Sequence, residues 1–133
     1  MIRTIDIHKS FGDQQVLKGI TTEFFPGKTN LIIGRSGAGK TVLLKILVGL
    51  VSPTSGDIFY GDVNFSQLNK KEMRTIRMKV GMLFQGSALF DSMTVEENIR
   101  FPLDMFTHMT WKEKAMQVDS CLERVSLGQV HKK

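Results

Sequence analysis

The chain has 133 residues and a net charge of +5, with 41% hydrophobic and 23% charged residues, which is ordinary for one folded globular domain. No basic leader followed by an apolar segment begins the chain, and the most apolar stretch, 42–51, is too short to span a bilayer. We therefore expect neither secretion nor a membrane-spanning helix. The single cysteine, Cys121, excludes an intramolecular disulfide and is typical of a reducing cytoplasm.

The first predicted elements are strands that lead into a glycine-rich loop. A β-like run from Ile2 to Ile7 is followed by a turn at Gly12-Asp13 and by a second run from Val16 to Phe25. Residues Lys28 to Ile33 predict a short buried strand that enters the glycine-rich loop directly. Residues Thr41 to Leu50 are apolar nearly all round, which predicts a buried helix after the loop.

The rest of the chain combines short strands with helices. Residues Gly56 to Tyr60 and Val80 to Phe84 are both strand candidates. Three capping boxes, each a polar cap followed three residues later by Glu, predict helix starts. They are Asn69/Glu72, Thr94/Glu97 and Thr110/Glu113. This order of elements indicates an α/β fold with a helical addition after about residue 94.

The densest positive charge lies on the first of these helices. Apolar residues Met73, Ile76 and Val80 recur there at helical spacing between the cations. The cations are Lys70, Lys71, Arg74, Arg77 and Lys79. No aromatic-interleaved basic motif accompanies them, so we expect a solvated helix face and no nucleic-acid partner.

Residues 34–41 match the phosphate-binding pattern G-x-x-x-x-G-K-[S/T], known as Walker A. The loop consists of Gly34, Arg35, Ser36, Gly37, Ala38, Gly39, Lys40 and Thr41. Glycines allow the backbone to turn so that its N–H groups and the positive end of the next helix face phosphate oxygens. We expect Lys40 to place its charge between the β- and γ-phosphates, and the Thr41 hydroxyl to be a ligand of Mg²⁺.

A phosphate-binding loop alone does not choose between kinases, GTPases and transport ATPases, but its surroundings do. Residues 9–20, which run from Lys9-Ser10-Phe11 to Lys18-Gly19-Ile20, resemble the A-loop entry of ABC ATPases. That resemblance implies that Phe11 stacks on adenine and that Val16 contacts the base and ribose. Val42, directly after the loop, joins the implied nucleotide contacts.

Three later segments extend the resemblance to ABC ATPases. Residues 52–58 resemble the turn that follows the Walker A helix in that family. Residues 81–85, 89–90 and 93–99 resemble the Q-loop and the start of the helical subdomain. The resemblance implies that Gln85 lies near Mg²⁺ and the attacking water, where its amide senses the nucleotide.

The resemblance implies an α/β P-loop NTPase fold of ABC type, with an N-terminal antiparallel β portion and the start of a helical subdomain. Residues 1–93 would form the β portion and the Walker A core up to the Q-loop, and residues 94–133 the start of the helical subdomain. The implied cofactors are ATP and Mg²⁺. The implied partners are a second ATPase subunit and a membrane permease, at the cytoplasmic inner face of the cell membrane. Within the family, residues 34–37, 86–95 and 101–103 are most similar to the ATPase of Mla-type phospholipid transporters.

By the same resemblance, the chain covers only the N-terminal half of an ABC ATPase domain. Residues 88–91 end in an aspartate like a Walker B strand but lack the following glutamate, and residues 126–129 have one glycine where the signature loop has two. We therefore expect the chain alone to bind nucleotide with turnover near background. We also expect it to expose apolar surface and to associate.

Two questions stay open on the sequence alone. The Met- and Phe-rich stretch 90–109 is either ordinary core or part of a groove in which a permease helix docks. The alternatives to a transporter motor are a soluble ABC-type ATPase that acts on nucleic acid or ribosomes, and a nucleotide-binding regulatory module that does not hydrolyse ATP.

Overall fold

A computed structural model describes residues 1–84, 86 and 88–130 of the chain. The chain divides into two compact units, Met1–Leu83 and Phe84–Lys133. Among the residues that the structure describes, no helix has the length and apolar character needed to cross a bilayer.

The first unit is built on a four-stranded antiparallel sheet in the order β2-β1-β3-β4. The strands are β1 (Ile2–Phe11), β2 (Gln14–Phe24), β3 (Ser55–Tyr60) and β4 (Val63–Asn64). β1 and β2 form a hairpin whose turn is at Gly12-Asp13, with Gly12 at a φ of 56°. The predicted hairpin and the predicted strand that ends at Tyr60 are therefore confirmed.

Helix α1 (Lys40–Leu47) packs its apolar side on this sheet. The buried core consists of Ile7, Leu17, Leu43, Ile46, Leu47, Ile58 and Phe65. The Tyr60 hydroxyl donates to the carbonyl oxygen of Leu47, and burial raises the pKa of Tyr60. The helix is not buried all round as predicted, because Leu44 is 44% exposed.

A bulge distorts β1 at Asp6, where the register with both neighbouring strands shifts. Asp6 has a φ of 50°, and its N–H donates to Thr21 Oγ1 at 2.9 Å. Opposite the bulge on β3, Gly56 has a φ of 92°, and a methyl group built on it would overlap the carbonyl oxygen of Asp6. The sheet therefore accommodates the bulge only because residue 56 has no side chain.

Two predicted strands, 28–33 and 80–84, are wrong, because both segments are irregular. Several of their apolar side chains are exposed, with Leu31 78%, Ile33 86% and Leu83 98% exposed, whereas Ile32 is half-buried against the core. A buried strand needs hydrogen-bonded neighbours, and the described residues supply none to either segment.

Three helices begin at the predicted capping boxes, with both reciprocal hydrogen bonds formed in each. They are α2 (Lys70–Arg77) in the first unit, and α3 (Val95–Phe106) and α4 (Trp111–Arg124) in the second. The backbone N–H of Thr94 donates to Glu97 and lowers the pKa of that carboxyl below its usual value, and Thr110 does the same for Glu113. In the second unit Val118 and Leu122 are buried.

Candidate nucleotide-binding site

The predicted phosphate-binding loop is an exposed turn that ends at the start of α1. Gly37 and Gly39 have φ values of 76° and 85°, in the left-handed region that favours glycine. The first hydrogen bond of the helix joins Leu43 N–H to the Gly39 carbonyl at 2.8 Å. The N–H groups of residues 40–42 therefore lie outside the helix ladder, and no acidic side chain occupies the first turn of α1. This end of the helix presents donors and a positive dipole to an anion.

Lys40 holds its charge over the same loop. Its Nζ donates to the carbonyl oxygens of Gly34 and Arg35, each at 2.7 Å. A lysine ammonium has three donors, so these two bonds leave a third one for a phosphate oxygen. Hydrogen bonds to the backbone of the loop therefore hold the predicted lysine at the site.

The loop packs directly against β2, which carries Val16. A methyl group built on Gly39 would lie 2.8 Å from Leu17 Cδ2 and 3.0 Å from Val16 Cγ1, closer than side chains approach one another. Glycine is therefore required at position 39 both by its φ and by this contact. The structure brings together two predicted groups of site residues, the phosphate-binding loop and the strand that was expected to contact the base.

Phe11 lies at the end of β1, beside the hairpin turn, and its ring is 50% exposed. The ammonium of Lys9 lies 4.9 Å from the centre of this ring and also donates to the Ser52 carbonyl at 2.8 Å. The exposed aromatic face is available to stack on a base, as the sequence predicts. Sequence analysis missed Lys9, whose cation supports the ring.

The two residues that follow Lys40 differ in burial. Thr41 is exposed, so its hydroxyl is open to a metal-bound phosphate, whereas Val42 is half-buried against the core. Within the described ranges no group of three or more His, Cys, Asp or Glu side chains is placed to hold a metal. The chemistry fits Mg²⁺ with one protein hydroxyl, because this ion takes most of its ligands from phosphate and water.

The segment before α3 is held by Asn98. Its amide nitrogen donates to the carbonyl oxygens of Phe90, Met93 and Thr94 at 3.2, 3.1 and 3.0 Å. Its amide oxygen accepts the Phe90 N–H at 2.8 Å. The sequence offers one signal that Asn98 binds this segment, namely its position directly after the capping-box Glu97. A helical side chain at that position points back toward the start of the helix. Gln85, the predicted sensor upstream, lies outside the described residues, so its role stays a prediction.

The family model described as ABC transporter matches residues 17–133, which is most of the chain. The chain belongs to the ABC transporter family. The fold predicted from sequence, an α/β P-loop cassette with an antiparallel β portion and helices, is confirmed by the solved ABC cassettes that it resembles.

Two curated relatives and one solved structure illustrate this membership. Protein TRIGALACTOSYLDIACYLGLYCEROL 3, chloroplastic, of Arabidopsis thaliana is 34% identical over 96% of this chain and 36% of that protein. Methionine import ATP-binding protein MetN of Clostridium tetani is 38% identical over 90% of this chain and 36% of that protein. The dimeric ATP-binding cassette MJ0796, in a post-hydrolysis state bound to ADP and Pi, has a TM-score of 0.85 at 27% identity and covers 99% of this chain. The chain spans 36% of the length of each curated relative and 61% of the MJ0796 chain.

In this ABC-family chain the Met- and Phe-rich stretch 90–109 is mostly at the surface. Phe90 is 47% exposed, Met105 56%, Phe106 46% and Met109 42%. Phe90 also packs on Phe101 with ring centres 4.9 Å apart, so one side of the stretch is anchored. These four side chains are therefore not buried core of the described part of the second unit.

Proposed function

We propose that this chain binds Mg-ATP as part of the motor subunit of an ABC transporter. The observation that carries the proposal is the loop 34–41, where two left-handed glycines, the Lys40 ammonium and the free N–H groups of α1 converge. A triphosphate is the ligand class that matches several donors and a cation in one place. The exposed ring of Phe11 adds a stacking partner for the adenine.

The same site supports a role in hydrolysis by the whole protein. Lys40 would neutralise the phosphates and Thr41 would hold Mg²⁺, which supplies charge neutralisation and orientation when bound. Gln85 would orient water near the same phosphates.

We propose that residues 1–93 form the β portion and Walker A core and residues 94–133 the start of the helical subdomain. The Walker B and signature residues would come from a longer protein, because the relatives are longer than this chain.

We further propose that the whole protein pairs with a second ATPase subunit and a membrane permease, at the cytoplasmic face of the membrane. The dimeric state of MJ0796 and the import role in the name of the methionine relative support both partners. The similarity of residues 86–95 to Mla-type ATPases favours a phospholipid cargo. The names of the two relatives do not agree on a cargo. No observation favours the nucleic-acid or non-hydrolysing alternatives.

Replacing Phe11 by alanine tests whether the site recognises a base as well as phosphates. We expect Mg-ATP to bind about tenfold more weakly to Phe11→Ala, because base stacking on an aromatic ring contributes roughly 1–3 kcal/mol, and Phe11→Tyr to bind normally. Titration calorimetry measures both. Phe25→Ala is the matched control, since Phe25 is 49% exposed at the other end of the hairpin.

Inorganic tripolyphosphate separates the two halves of the site. It carries the phosphates without a base, so its affinity is expected to be the same in the wild type and in Phe11→Ala. An equal loss of affinity for Mg-ATP and for tripolyphosphate in Phe11→Ala would show that Phe11 only supports the phosphate-binding loop. Failure of the wild type to bind either ligand would contradict the proposed function.

The permease contact is tested by crosslinking in the intact transporter. With Cys121 replaced by serine, single cysteines at Met105 and Met109, which are 56% and 42% exposed, should crosslink to a cytoplasmic loop of the permease. Val63→Cys on β4, 46% exposed, is the control and should not. Crosslinks from all three positions, or only from Val63, would contradict a docking surface at 90–109.

A further inference from the structure

The strongest feature that the ATP site does not use is the charge of α2 and the residues after it. Residues 70–79 contain five Lys or Arg and one Glu, and all five cations are exposed. Glu72 is engaged in the capping box, where it accepts the Asn69 N–H at 2.9 Å. The single acidic side chain of this segment therefore does little to offset its five positive charges.

Three of these five cations are spaced along one side of the helix. Lys70, Arg74 and Arg77 follow one another at i, i+4 and i+7, which places them on one stripe. Met73 and Ile76 pack against the core of the first unit, and Met73 lies beside the stripe, with Arg77 Nη2 3.5 Å from its sulfur. The three cations of the stripe are nevertheless exposed.

Two of these cations lie at the N-terminus of α2, where a positive charge destabilises the helix. Lys70 and Lys71 are the first two residues of α2, where the positive end of the helix dipole repels a cation. None of the ion pairs formed within the described part of the chain involves Lys70, Lys71 or Lys79. The stability of the helix therefore does not explain why these residues are positively charged. Binding to an external anionic partner would explain it.

We propose that the exposed cations of residues 70–79 bind the anionic headgroups of a phospholipid bilayer. Clusters of four to eight cations on an amphipathic helix attract such surfaces, and the exposed side chain of Met78 suits the boundary between headgroups and acyl chains. Residues 69–79 contain no aromatic side chain to stack on bases, which disfavours a nucleic acid. This contact is direct and is independent of the ATP site and of the permease.

Vesicle co-sedimentation without nucleotide tests the proposal on the 133-residue chain. The wild type should bind phosphatidylcholine–phosphatidylglycerol vesicles and not pure phosphatidylcholine vesicles, and salt at about 1 M should release it. The variant Lys70→Gln, Lys71→Gln, Lys79→Gln should bind on the order of 100-fold more weakly, at about fivefold for each charge.

A charge-matched control isolates position from net charge. The variant Lys18→Gln, Lys112→Gln, Arg124→Gln removes the same charge from exposed positions on β2 and α4 and should lose no more than a few-fold. Equal losses in the two variants, no vesicle binding by the wild type, or tighter binding to a DNA duplex than to the vesicles would each overturn the proposal. Lys40→Ala should bind vesicles normally, so loss of the ATP site and loss of the lipid contact are distinguishable.

Discussion

Replacing Lys40 by alanine is expected to abolish the stabilisation of the chain by Mg-ATP. In the wild type, nucleotide at about 100 times its Kd should stabilise the fold by about 2.7 kcal/mol, seen as a higher Tm. The variant loses the cation that faces the phosphates, and it also loses the two 2.7 Å bonds that tie the Gly34 and Arg35 carbonyls together. We expect no measurable Tm shift at the same nucleotide concentration.

Two further variants make this result specific. Lys45→Ala removes an equal charge from the last turn of the same helix, away from the loop, and should keep the full Tm shift. Lys40→Arg keeps the charge but changes the geometry of the hydrogen-bond donors. This variant should keep only part of the Tm shift. An unchanged Tm shift in Lys40→Ala would contradict the site at residues 34–41, and a similar loss in Lys45→Ala would point to a general effect of charge.

The features that sequence predicts correctly are those fixed by neighbouring residues. A capping box needs only the cap and the Glu three residues later, and all three boxes form as predicted. The phosphate-binding loop is likewise local, because Gly37 and Gly39 take their left-handed conformations within one turn. For the same reason the hairpin is predicted from its two strands and the Gly12-Asp13 turn.

The features that sequence misses depend on residues far along the chain. Segments 28–33 and 80–84 have the composition of buried strands, but strand formation requires partners that composition does not reveal. The contact of Gly39 with Val16 and Leu17 joins residues on separate elements, so the pattern of the loop gives no indication of it. The side chain of Asn98 reaches back to the loop at Phe90, a direction that becomes definite only once α3 exists.

Replacing Gly56 by alanine is expected to destabilise the first unit more than any other glycine substitution in its sheet. The new methyl group would overlap the Asp6 carbonyl oxygen and lie 2.6 Å from the Asp6 carbonyl carbon and from the Ile5 oxygen. These are backbone atoms of a paired strand, so no side-chain rotation relieves the overlap. The φ of 92° adds backbone strain. Together we expect a loss of about 3 kcal/mol in the free energy of unfolding, measured by urea denaturation.

Gly61→Ala separates backbone strain from steric overlap. Gly61 also has a positive φ, 60°, in the turn between β3 and β4, but a methyl group built there has open space around it. That variant should lose only about 1 kcal/mol, the cost of a left-handed conformation alone. The difference between the two variants then measures the overlap at Asp6. Equal losses would mean that β1 and β3 move apart freely at the bulge, and that the close contact of Gly56 with Asp6 does not hold the sheet on which the phosphate-binding loop rests.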